Sequence, residues 1–120
     1  MAVSDAYQSY VLEQLESLGR VTATRMFGGV GLYHDGAFFA LIAHDTLYFK
    51  VDDHNRADYE RADMKPFQPY VNRSIRMGYY EVPADVLEDP DQLAIWATKA
   101  LAAATRSAAA RDIKGRPSRR

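Results

Sequence analysis

Three histidines, His34, His44 and His54, each stand beside an aspartate, Asp35, Asp45 and Asp53. Imidazole next to carboxylate is the donor set of metal centres and of proton relays. Both chemistries need the groups to converge in space. His34 and His44 fall in turns at successive hairpin ends, which in an antiparallel meander lie at opposite edges of the sheet, so the spacing predicts exposed turn residues. The pairs Asp52-Asp53 and Glu88-Asp89 carry the residue types for acid and base work, but both stand where helices should begin, and a carboxylate there caps free backbone amides. Gly28-Gly29-Val30-Gly31 has glycines enough for a phosphate loop, yet it has neither the G-x-G-x-x-G spacing nor a following Lys-Ser/Thr pair. A glycine bulge bending one long strand is the expectation. No catalytic residue, metal or cofactor is assigned, and the chain reads as a non-enzyme.

The elements that must position these residues follow from the hydrophobic pattern. Ser4 or Asp5 caps a first helix whose stripe is Tyr7, Val11, Leu15 and Leu18, with Gly19 as its stop. From Val21 to Val51, β-branched and aromatic residues are broken at His34-Asp35-Gly36 and His44-Asp45-Thr46, which predicts three strands in a meander. Asp52 or Asp53 caps a short helix through about Ala62. Phe67–Val71 and Ile75–Val82 read as two further strands. Asp89-Pro90 opens a long C-terminal helix with the stripe Leu93, Trp96, Ala97, Ala100, Leu101 and Ala104. The order α-β-β-β-α-β-β-α predicts an α+β fold, a two-layer sandwich of an antiparallel sheet with helices on one side.

At 120 residues, 48% of them hydrophobic, the chain holds one domain with a core. It contains no cysteine, no membrane-length apolar stretch and no leader-like N-terminus, so a cytoplasmic protein without membrane association is expected. The net charge of −1 conceals an asymmetry. Residues 1–105 carry nine Lys/Arg against fifteen Asp/Glu, a balance of −6, and residues 106–120 carry six against one, a balance of +5. The body repels phosphate, so weak nucleic-acid binding falls to the basic tail, with Arg111, Lys114, Arg116, Arg119 and Arg120 as its contacts. With Gly115 and Pro117 among its charges, the 106–120 tail is expected to be disordered.

The consecutive blocks Arg25-Met26-Phe27-Gly28-Gly29-Val30-Gly31-Leu32-Tyr33, Gly36-Ala37-Phe38-Phe39-Ala40-Leu41-Ile42, Asp45-Thr46-Leu47-Tyr48-Phe49-Lys50-Val51-Asp52-Asp53, Asn55-Arg56 with Asp58-Tyr59, and Met64-Lys65-Pro66-Phe67 form an ordered set. Met77-Gly78-Tyr79-Tyr80-Glu81-Val82-Pro83, Leu87-Glu88-Asp89, Leu93 and Trp96-Ala97 continue it. In this set the chain resembles the N-terminal domain of the TfoX/Sxy family, regulators of natural competence for DNA uptake. The resemblance implies a fold like that of secretion chaperones over residues 1–105, and a regulatory or adaptor role in transcriptional control through protein contacts. Better-studied family members carry a second, C-terminal domain, so a stand-alone N-terminal domain is expected here.

Alternation along the strands must split the aromatics Phe27, Tyr33, Phe38, Phe39, Tyr48 and Phe49 between a core face and an opposite face. The second set offers a surface for a protein partner or for a homodimer. Arg25, Lys50 and Arg56 are the cations that folding leaves unexplained, and they are the expected partner-binding residues; Arg56 also has Asp53 and Glu60 at helical spacing. A competing expectation is a small-ligand or catalytic pocket between sheet and helices, lined by Tyr79, Tyr80 and Trp96.

Overall fold

The computed structural model describes the backbone of residues 3–26, 28–67 and 78–114, with side chains through Ala109. The first helix, α1 (Asp5–Gln14), starts at Ser4, whose hydroxyl accepts a hydrogen bond from the Tyr7 amide. Asp45 in turn accepts from the Ser4 amide at 2.8 Å and from the Ser4 hydroxyl at 3.1 Å, which ties the helix start to a hairpin turn 41 residues away. A 3₁₀ turn, Glu16–Leu18, tightens the exit, and Gly19 ends it at φ 98°, a conformation that costs glycine nothing. Val11 and Leu15 of the stripe are fully buried, and Tyr7 and Leu18 pack against them from the rim.

Four strands follow: β1 (Thr22–Met26), β2 (Gly29–His34), β3 (Ala37–Ala43) and β4 (Thr46–Lys50). The sequence pattern predicted three, because the glycines at 28, 29 and 31 looked like a bulge in one long strand. The chain instead reverses there. Gly28 takes φ 80°, and Met26 pairs with Gly29 to close a hairpin. The other two hairpins turn on Asp35-Gly36 (φ 50° and 81°) and His44-Asp45 (φ 53° and 50°), two-residue loops of the left-handed kind that match strand twist. After α2 (Arg56–Arg61), strand β5 (Tyr79–Glu81) adds beside β4, giving one antiparallel sheet in the order β1-β2-β3-β4-β5. Pro66 bridges to Tyr80, and the Phe67 amide donates to the Tyr79 carbonyl at 2.7 Å. The strand expected over Phe67–Val71 and the start of the one expected at Ile75 lie outside the described residues beyond Phe67.

Two helices complete the chain, the single turn α3 (Ala84–Leu87) and the 25-residue α4 (Pro90–Lys114). Asp89 caps α4 by accepting from the Asp91 and Gln92 amides, with Pro90 at the first helical position. Its buried stripe is Leu93, Ala97, Ala100, Ala103 and Ala104, and the alanines let the helix axis approach the sheet closely. Between α4, α1 and the sheet lie Val30, Leu32, Phe39, Ile42, Leu47 and Phe49, each at most 1% exposed. The fold is the expected two-layer α+β arrangement. The helix does not stop at the expected boundary of 105: its backbone continues to Lys114, so disorder across 106–114 is corrected, while residues 115–120 lie outside the described residues.

Candidate functional site

The helices cover one face of the sheet, and the other face carries a second apolar layer. Leu41, Ala43 and Tyr79 are buried there, with Phe38, Tyr48 and Phe67 half-buried against them. The rings touch in sequence: Tyr33 stacks on Phe38 at 5.1 Å, Phe38 meets Tyr79 at 5.5 Å, and Tyr48 meets Phe67 at 4.8 Å. Such offset and tilted pairs are the favoured aromatic geometries.

A bulge builds this layer. Leu32 pairs with Ala40 but Tyr33 pairs with Phe38, so two residues of β2 face three of β3. Phe39 and Ala40 therefore both enter the helix-side core, and Phe38 and Leu41 turn to the other face. Strict alternation would have placed Phe39 and Leu41 together; the bulge sits opposite Tyr33, and not at the glycines where sequence placed it. Gly31 has its own part here. A methyl group on it would come within 2.8 Å of Met26 Cε and 3.1 Å of Phe38 Cε1, so this glycine lets Met26 and Phe38 lie down on the strand.

The three cations expected to bind a partner do not form one patch. Arg25 lies on the edge strand β1, its side chain 71% exposed and 4.0 Å from Asp5. Lys50 lies three strands away on β4, its ammonium 5.2 Å from the centre of the Tyr79 ring, at the border of the aromatic layer. Arg56 opens α2 and pairs with Asp53 three residues earlier. That carboxylate is the main reason its guanidinium pKa rises further above its ordinary value. Arg56 also lines a hollow of about 170 Å³ with Val51, Pro66, Gly78 and Tyr80.

The pocket expected between Tyr79, Tyr80 and Trp96 does not assemble. Adjacent strand residues point to opposite faces, so Tyr79 joins the aromatic layer and Tyr80 the helix side. There Tyr59 fills the space, its ring 5.6 Å from Tyr80 and 4.8 Å, edge-on, from Trp96.

The histidines separate as well. His34 was expected to be an exposed turn residue; its side chain is only 23% exposed, and its Nε2 is 2.9 Å from the Leu18 carbonyl, which joins β2 to the 3₁₀ turn. His44 is exposed in its turn, and His54 stands 3.5 Å from Asp52. Asp52 and Asp53 do not cap α2 as expected. The N-cap is Asn55, 2% exposed, whose Oδ1 accepts from the Asp52 amide at 2.8 Å and whose Nδ2 donates to the Lys50 carbonyl at 3.1 Å.

Asp52 receives Arg106 of α4 in a two-pronged pair, 2.7 Å from Nε and 3.0 Å from Nη2. The Arg106 hydrogen bond is the main cause that lowers the Asp52 pKa to about 2. Asp58 similarly holds Arg61 at 2.6 Å and Lys99 at 2.9 Å. Sequence reasoning assigned Arg106 to the tail and missed both Asp58 contacts; the Arg106–Asp52 and Lys99–Asp58 pairs, 54 and 41 residues apart, leave no local spacing to read, whereas Arg61 stands at helical i, i+3 spacing from Asp58 and was legible. Of the expected nucleic-acid contacts, Arg111 and Lys114 lie on α4, whereas Arg116, Arg119 and Arg120 lie outside the described residues.

No described helix is long and apolar enough to cross a membrane. No curated protein matches the chain. A model of the TfoX N-terminal domain matches residues 13–104, a span that runs from α1 through the buried stripe of α4 and takes in both faces of the sheet. The chain belongs to the TfoX N-terminal domain family.

Proposed function

We propose that this protein is a cytoplasmic, non-enzymatic adaptor domain that acts through protein contacts, in transcriptional regulation of competence or a related process. One observation carries the reading: the sheet has an apolar, ring-lined layer on the face opposite its described helices, where a one-sided sandwich ordinarily presents polar residues. Aromatic side chains bring large contact area at low entropic cost, which suits a surface that receives another protein. Cross-linking the full chain in its own cell and identifying what it captures tests this. A Tyr33→Ser/Tyr48→Ser variant should lose the partner at least tenfold; its unfolding midpoint falls because two ring pairs are lost, so capture is compared at a temperature where circular dichroism shows the variant folded, and undiminished capture there would overturn the surface. Sedimentation over a concentration series shows whether the same face is met by a second copy.

A second reading is weak nucleic-acid binding through the basic end. It is favoured by the course of α4, which carries Arg111 and Lys114 past the family-matched region on a continuous helix.

A further inference from the structure

The sheet is open at one end only, as far as the described residues go. At β5 the outer side is occupied: the Phe67 amide donates to Tyr79, the Glu81 amide donates to Lys65, and Pro66 bridges to Tyr80. At β1 nothing comparable exists. Its five residues pair with β2 in unbroken register from Thr22–Tyr33 to Met26–Gly29, and every second residue turns its N–H and C=O outward. No described residue hydrogen-bonds that outer side, and β1 has no proline, lysine or bulge; of the usual guards of an edge it carries one charge, Arg25.

We propose that β1 is a docking strand, which an extended acidic segment of a protein partner joins as a sixth strand. This deepens the adaptor reading and rests on it. The charge at the edge selects the occupant. Arg25 stands on the helix side of β1, opposite Val30, with its carboxylate neighbour Asp5 4.0 Å away and 98% exposed, so solvent screens that pair. Arg20, just before the strand, is exposed and has no ion pair with any described residue. An acidic body thus presents a basic edge.

A second copy fits less well. Antiparallel pairing of two β1 strands over their full length sets the two Arg25 side chains at diagonal positions on one face, a like-charge contact. A partner strand with carboxylates on the helix side and β-branched residues opposite Thr22 and Thr24 meets Arg25 favourably and satisfies the free backbone groups.

The test uses the full chain and a seven-residue capped peptide, Thr-Glu-Val-Glu-Thr-Glu-Val, followed by amide NMR. Shifts should centre on Val21–Met26, with slowed exchange at alternate β1 amides. Arg25→Glu should weaken binding at least tenfold and favour the matching lysine peptide, and Asp5→Asn should strengthen binding two- to threefold. Methylating the peptide nitrogens of one alternate set should abolish binding, and of the other set should not. Silence of β1 at millimolar peptide, equal affinity in Arg25→Glu, or a concentration-dependent dimer that protects β1 amides would each overturn the proposal. If β1 fails while the Tyr33→Ser/Tyr48→Ser variant still loses its cellular partner, the adaptor reading survives without the docking strand.

Discussion

Tyr59 is 1% exposed, and its hydroxyl finds no hydrogen-bond partner among the described residues. Burial pushes its pKa far above the ordinary phenol range, so it stays neutral and pays for desolvation without return. Tyr59→Phe keeps the ring contacts with Tyr80 and Trp96 and removes the orphan oxygen. A gain of about 1 kcal/mol in urea unfolding is expected, and a loss would mean that the hydroxyl is used. The glycines make a sharper comparison. A Cβ on Gly29 would lie 2.6 Å from the Ile42 carbonyl oxygen, a backbone atom that cannot step aside without moving β3. On Gly31 it would meet the end of Met26, which can. Gly29→Ala should cost about 3 kcal/mol and Gly31→Ala about 1, measured by the same unfolding curves. Equal costs would show that Met26 is held as rigidly as the backbone. The glycines were visible in sequence as a break in β pattern, but a hairpin and a bulge both need glycine, and only the pairing of Met26 with Gly29 separates the two.

At the scale of elements, α4 is held to the sheet by its alanine stripe and then, beyond the family-matched region, by Arg106 on Asp52. Because Asp52 titrates at about 2 in the fold against 3.8 unperturbed, its stabilising contribution is complete above pH 4 and is lost as pH falls from 4 toward 2. Arg106→Gln should return the Asp52 pKa toward 3.8, read from carboxyl chemical shifts, and should flatten the acid limb of the stability curve. An Asp52 pKa unmoved by the substitution would assign its depression to the His54 amide instead, which also donates to it. Most elements were legible in sequence because their signals are local: Ser4 and Asp89 cap helices, and Asp35-Gly36 turns a hairpin. The tie between α4 and the loop after β4 was not, since a single arginine in a basic run looks the same whether solvated or paired across 54 residues.

For the whole molecule, the fate of Arg106 redraws the charge map. Counted with the body, it leaves residues 1–110 at ten Lys/Arg against fifteen Asp/Glu, or −5, and residues 111–120 at five against one, or +4. The candidate surface was half legible: alternation announced a second aromatic set, but which rings belong to it depended on a bulge that no residue type marks, and the cations that looked unexplained turned out to be scattered over β1, β4 and α2. The same scattering weakens any nucleic-acid site on the body and leaves the second functional reading to the last ten residues. A truncation after Thr105 would confuse the issue by releasing Asp52. Replacing Arg111, Lys114, Arg116, Arg119 and Arg120 with glutamine leaves the Arg106 pair in place. If these five residues bind duplex DNA, log K against log salt for the full chain should fall with a slope no steeper than about −4.5. The glutamine variant should lose that binding with its thermal midpoint little changed, because the buried alanine stripe of α4 and the Arg106–Asp52 pair are left untouched. Binding that survives the replacement, or a steeper slope, would place phosphate contacts on the acidic body and overturn the tail as their source.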